Sequence, residues 1–159
     1  MTKHPMHDME FSAAAQALSA LDNLGVAELE VLYRLEITAG AVYGDLADLL
    51  DDRAVAEVLR RNGREELGHA KRVRRAIAMK GGIDYVAPTY LEDRYSAALP
   101  NHVTSGMLVS MVAGERAGDY DYQRWAESEL NVEVARLLRL SGAEETKHAE
   151  RLAAALGLE

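Results

Sequence analysis

The chain has 159 residues, 48% of them apolar and 28% charged, enough for one stable hydrophobic core and cramped for two. Its formal charge of -8 argues against a surface built to hold nucleic-acid phosphates, and no stretch approaches the uninterrupted apolar length of a membrane span. With no cysteine it can form no disulfide, no iron–sulfur centre and no thiolate zinc site, so any metal must be held by oxygen and nitrogen. Only 6% of residues are aromatic and three are proline, while Ala, Leu, Glu and Arg abound, which leans towards an all-α fold.

Residues 1–25 read as an N-terminal arm or short helix ahead of a bundle over 26–159, within a single domain. Met1 to Glu10 lack the basic start and apolar run of a signal peptide, so a cytoplasmic protein is expected. Phe11 to Leu24 is Ala-rich and ends in Asn23-Leu24-Gly25, which predicts a short extra helix; an arm that packs in an oligomer or frays is the other reading. Between Val26 and Leu50, apolar residues such as Leu29, Leu32, Leu35, Val42 and Leu46 recur at helical spacing. Asp51-Asp52 then supply a turn and a ready N-cap. A second helix is predicted from Arg53 to about Lys80, stopped by Gly81-Gly82.

Residues Gly81 to Asn101, with Pro88 and Pro100 and no sustained period, read as a long connection. At ~3.3 Å per residue, about twenty residues can run the whole length of a ~38 Å helix, so a full crossover is expected. A third helix is predicted from His102 or Val103 to about Glu127, and a fourth from Asn131 as N-cap to about Leu156. The basic run Lys71, Arg72, Arg74, Arg75 reads as a solvated helix face, and His4, His7 and His102 are expected to face solvent.

Shifting the chain by 79 superposes one constellation on another. Glu36 lands on Glu115, Tyr43 on Tyr122, Gly63 on Gly142, Glu65 on Glu144, Glu66 on Glu145, His69 on His148 and Arg72 on Arg151. Glu66 and His69 are three residues apart, so both leave one helix face, and Glu145 with His148 repeats the arrangement. In an antiparallel hairpin, residues equidistant from the turn lie side by side. Glu36 therefore meets Glu66 about a turn centred on 51, and Glu115 meets Glu145 about one near 130.

Two such hairpins joined by a crossover bring four glutamates and two histidines to one point. Four buried carboxylates need a neutraliser, and a pair of cations supplies it. Glutamate can bridge two metals and neutral imidazole is a good ligand for iron, so the set suits iron or manganese better than magnesium or calcium. A lone Glu-x-x-His is weak evidence, because exposed Glu and His often pair on helix surfaces; two copies, each following a lone Glu, are much stronger.

This pattern resembles the ferritin-like di-iron carboxylate superfamily, with one Glu on each of two helices and Glu-x-x-His on each of the other two. The resemblance spans about residues 26 to 156. Within the superfamily, the short symmetric layout and the Tyr seven residues after each lone Glu are most similar to rubrerythrin-type proteins. It implies a four-helix bundle of two antiparallel hairpins and a metal site of Glu36, Glu66, His69, Glu115, Glu145 and His148 holding two iron ions, manganese or a mixed pair being alternatives. No cysteine-bearing rubredoxin-like domain is present, so the resemblance implies electrons from a separate donor protein. Asp119, at i+4 from Glu115, is the one residue that could add a further carboxylate.

Tyr43 and Tyr122, two turns beyond Glu36 and Glu115, are the candidate catalytic residues: they share the inward stripe, where they can pack and hydrogen-bond a ligand carboxylate. Gly40, Gly44, Gly114 and Gly118 break helix propensity by about 1 kcal/mol each and either open a pocket or let helices approach closely. Glu65 and Glu144 point about 100° away from their ligand neighbours and read as salt-bridge residues. The leading expectation is an oxidoreductase that reduces dioxygen or hydrogen peroxide. A ferroxidase or iron-storage role, a hydroxylase of an organic substrate, and a metal-free helical interaction module are the alternatives, and a homodimer or larger homo-oligomer fits any of them.

Overall fold

In the computed structural model, which describes residues 3–158, every regular element is helical. Met1, Thr2 and Glu159, which the expected arm and bundle include, lie outside the described residues. A single 3₁₀ turn, Pro5–Asp8, precedes α1 (Phe11–Ser19), α2 (Val26–Asp48), α3 (Arg53–Gly81), α4 (Ser105–Ser128) and α5 (Val132–Ala155).

The helix ends follow the local chemistry. Asp52 caps α3 by accepting from the Ala54 and Val55 amides at 2.9 and 3.1 Å, and Asn131 caps α5 through the Glu133 and Val134 amides. Gly82, at φ 73°, closes α3 in a conformation that side-chain-bearing residues avoid. Helix α4 starts at Ser105, later than expected, because Thr104 is the residue whose hydroxyl takes the Met107 amide. The short helix α1 ends at Ser19, well before Gly25. Beyond it, side chains from the bundle capture the free carbonyls: Arg124 takes that of Ser19, Trp125 that of Leu21 and Lys80 that of Leu24. Gly25 serves instead as N-cap of α2, its amide held by Glu28 at 2.8 Å.

Helices α2 and α3 form one antiparallel hairpin and α4 and α5 the other, with α3 and α5 packed against each other in the middle. The crossover, residues 82–104, climbs α2 in the direction of that helix. Tyr85 donates to Glu30, Tyr33 to Glu92, and the Tyr95 amide to Thr38, so successive anchors rise along α2. Leu91, within the crossover, is buried and anchors it to the core. This return path sets the start of α4 at the same end of the bundle as the start of α3, and makes the two helices parallel.

Two apolar clusters fill the bundle. One, at the α1 end, includes Leu32, Leu35, Ile77, Trp125 and Leu138; the other, at the opposite end, includes Leu46, Leu59, Val112 and Leu152. The charged residues described below lie between them, at mid-length, where water is excluded from both sides.

His7 departs from expectation. It is buried at 4% exposure, its Nδ1 lies 2.9 Å from Arg34, and its ring packs 4.7 Å from that of Tyr90. Burial and the adjacent Arg34 charge hold its pKa down at about 4, so the ring stays neutral and ties the arm to α2. His4 is half-buried and caps the 3₁₀ turn; only His102 is exposed. Of the basic run, Lys71, Arg74 and Arg75 are exposed, but Arg72 turns inward.

Candidate metal centre

Glu36 leaves α2, Glu66 and His69 leave α3, Glu115 leaves α4, and Glu145 and His148 leave α5, all towards the bundle axis. None is more than 6% exposed, and both histidines are fully enclosed. Their ligand atoms form two groups, each within 4.8 Å: Glu36, Glu66, His69 and Glu145 in one, and Glu66, Glu115, Glu145 and His148 in the other. Glu66 and Glu145 belong to both.

The atomic contacts show how. Glu66 sets Oε2 at 3.0 Å from His69 Nδ1 and Oε1 at 3.3 Å from His148 Nδ1. Glu145 mirrors it, with Oε1 at 3.6 Å from His69 Nδ1 and Oε2 at 3.3 Å from His148 Nδ1. Glu36 faces only His69, at 3.8 Å, and Glu115 only His148, at 3.6 Å. The two imidazoles stack with centroids 5.4 Å apart.

These contacts are not hydrogen bonds, being either longer than 3.5 Å or off-line. Glu66 Oε2, His69 Nδ1, Glu115 Oε1, Glu145 Oε2 and His148 Nδ1 are buried without a hydrogen-bond partner. Five orphaned lone-pair atoms aimed at two shared points are what a pair of cations would satisfy, and oxygen with imidazole nitrogen is a donor set suited to iron. Without cations, protons must neutralise the cluster. Burial and the Glu66 charge push the Glu36 carboxyl up to about 7, and burial with the same neighbour raises Glu145 strongly. Glu66 itself is opposed by burial but held down near 2 by His148 and His69. Burial disfavours both imidazolium forms, yet the surrounding carboxylates overcome it, drawing His69 far upward and His148 up to about 12.

The outer nitrogens are held by residues whose part the sequence did not disclose. His69 Nε2 lies 3.0 Å from Glu144 on α5, and His148 Nε2 lies 3.0 Å from Glu65 on α3. Arg72 clamps Glu144 with two hydrogen bonds of 2.9 and 2.7 Å, and Arg151 reaches Glu65 and the buried Asn62. Arg72 also touches Ser141, which stands where Asn62 stands in the other half. The Arg72 hydrogen bond and charge lower Glu144; burial raises Glu65, but Arg151 outweighs it. Ionised carboxylates there fix a proton on each Nε2 and turn each Nδ1 towards the cluster, where a cation can take the place of its proton. Glu65 and Glu144 are thus salt-bridge residues, as their angle suggests, and also orient the imidazoles of the opposite hairpin. The 79-residue repeat contains both, with Arg72 and Arg151, and is the signal that could have found them.

Tyr122 donates a short hydrogen bond to Glu36, across the bundle and not to Glu115 on its own helix. Burial and the Glu36 charge keep its hydroxyl protonated by raising its pKa well above the usual range. Tyr43 is buried and lines the same space, but among the described residues no hydrogen bond joins it to Glu115. The pseudo-symmetry is broken at this point. Asp119 is outside both groups: it accepts from Gln123 at 2.9 Å and Thr146 at 2.5 Å, tying α4 to α5.

The glycines divide. A Cβ at Gly40 would lie 3.0 Å from the Gly63 carbonyl oxygen, so Gly40 serves a close helix crossing, whereas Gly114 and Gly118 border a cavity of about 360 Å³. Gly44 meets open space.

The rubrerythrin family model matches residues 28–156, all four long helices almost entirely. No curated protein and no solved structure matches the chain. Among the described residues, no helix is long and apolar enough to cross a membrane.

Proposed function

The chain belongs to the rubrerythrin family, and from that premise we propose that Glu36, Glu66, His69, Glu115, Glu145 and His148 hold two iron ions that reduce hydrogen peroxide or dioxygen. The observation that carries this is the sharing of Glu66 and Glu145 between two otherwise separate groups of buried donors. Bound iron would supply the electron chemistry by cycling between ferrous and ferric states. Glu66 and Glu145 would span both ions. Glu36 with His69, and Glu115 with His148, would each complete one. Tyr122 donates to Glu36 and holds that carboxylate in place. Arg72 and Arg151, through Glu144 and Glu65, keep the imidazoles turned inward. The apolar clusters above and below exclude water, and a separate donor protein returns the electrons.

Protein from iron-supplemented cells is expected to carry about two irons per chain and to consume peroxide, given a reductant, in proportion to iron content. Fewer than about half an iron per chain would end the proposal. A fixed iron uptake with no peroxide turnover would replace it with iron handling.

Metal affinity is expected to fall with acid. In the ion-free chain Glu36 takes up a proton as the pH falls through about 7, and the surrounding carboxylates keep His69 and His148 protonated as well, so a cation must displace these protons. Binding releases protons and weakens by roughly tenfold per pH unit for each one displaced between pH 7 and 5. A calorimetric titration at several pH values with buffers of different ionisation heat measures both; a pH-independent affinity would contradict the cluster's electrostatics.

A further inference from the structure

Helices α3 and α5 cross closely, but α2 and α4 stand apart, and the 360 Å³ cavity fills the gap between them. Small residues make it. Ala39 on α2 lines one wall and Gly114 and Gly118 the other; a Cβ at Gly114 would touch nothing within 4 Å. Phe11, Ala15 and Leu18 of α1 lie over one end. It is a cleft that opens to solvent, with Gly114 exposed and Ala39, Val42 and Met111 half-buried along it, and a cavity of about 150 Å³ already holds benzene. This one falls within the size range of small-molecule sites, roughly 300–1,000 Å³.

Its chemistry is polarised. The walls are apolar, with Leu32, Leu35, Val42, Leu46, Met111 and Trp125 among them. The floor is formed by Glu36, Glu66, Glu115 and Glu145, and the last three carry buried oxygens with no hydrogen-bond partner. No Lys, Arg or His lines it, so nothing there would receive a carboxylate, sulfate or phosphate, and the floor would repel one. Resting on the two-metal reading, two divalent ions balance the four carboxylates, so the loaded floor gives no reward to a cation either. Asp121, also lining the cavity, is already paired with Arg124 at 3.1 Å.

We propose that this cavity binds one neutral, apolar organic molecule, hydrocarbon-like or aromatic, with one end against the carboxylate floor. At about the 30 Å³ that a water occupies in the liquid, it accommodates roughly a dozen non-hydrogen atoms. Such a molecule would gain the burial of its apolar surface while leaving no polar group unpaired.

The chain's single tryptophan, Trp125, lines the cavity and reports on it. The full chain, metal-loaded and metal-free, is titrated with butylbenzene and with 4-butylbenzoate while Trp125 emission is followed. Expected is a saturable one-to-one shift with butylbenzene, at least about tenfold weaker binding of the anion, and loss of the response in Ala39→Phe. Gly114→Leu fills the same space from α4 and serves where Ala39→Phe fails to fold, as judged by helical circular dichroism. No saturable response, equal binding of the anion, or binding undisturbed by a filling variant that folds would overturn the proposal. So would sedimentation showing that a second copy covers the gap and no probe enters. Metal analysis of the same samples separates the readings: two metals without butylbenzene binding removes the cavity proposal alone, and binding by a chain that takes up no metal on loading removes the metal proposal alone.

Discussion

Replacing Glu66 by alanine is expected to empty both metal positions together, taking the content from about two ions per chain to below about half an ion. Its two oxygens serve different halves of the cluster, one 3.0 Å from His69 Nδ1 and the other 3.3 Å from His148 Nδ1. Truncation leaves each half with three donors and strips a shared negative charge from both. Glu36→Ala, by contrast, touches only the His69 half, so about one ion should remain. Elemental analysis of the two variants side by side makes the comparison. The ion-free proteins should behave in the opposite sense. Glu36→Gln keeps the shape and removes one of four crowded buried carboxylates, so the metal-free variant should melt above the metal-free parent. If Glu66→Ala and Glu36→Ala lose the same amount of metal, Glu66 is not shared, and the two-centre geometry is wrong.

The convergence of six donors could be read before any coordinates because it depends on two local rules. A spacing of three puts Glu66 with His69, and Glu145 with His148, on one helix face. Equal distance from a turn then sets Glu36 beside Glu66 and Glu115 beside Glu145. Neither rule says which residues meet across α3 and α5, since that depends on how the two hairpins cross. For that reason neither rule discloses the hold of Glu65 on His148 and of Glu144 on His69, although the repeat contains all four. The broken symmetry was equally hidden: Tyr43 and Tyr122 are interchangeable in sequence, yet only Tyr122 reaches the carboxylate of the opposite hairpin. His7 read as exposed because its burial depends on Arg34, twenty-seven residues away. The ends of α1 and the start of α4 moved for a similar reason, being set by side chains from distant helices or by one hydroxyl rather than by hydrophobic period.

Gly63→Val should be the most damaging single change outside the ligands. A Cβ at Gly63 would sit 2.9 Å from the Gly40 carbonyl oxygen and 2.9 Å from Tyr43 Cβ, closer than such atoms approach. The first of these is backbone, so it cannot rotate aside, and α2 must move away from α3. Overpacking of this kind costs about 3 kcal/mol at its upper range, which outweighs the helix propensity of about 1 kcal/mol or less that a glycine replacement returns. A melting temperature lower by roughly 4–8 °C is expected. Glu66 lies one turn beyond Gly63, and Glu36 one turn before Gly40, so spreading this crossing also draws the two carboxylates apart. Metal loss should therefore accompany the lower melting point. The same argument gives a control with the opposite sign: a Cβ at Gly118 would meet Glu145 at an ordinary 3.5 Å, so Gly118→Ala should leave the bundle as stable or slightly more so. Thermal melts of the two variants without metal isolate the packing effect. If Gly63→Val melted with the parent, the close approach of α2 and α3 would not be holding the site together.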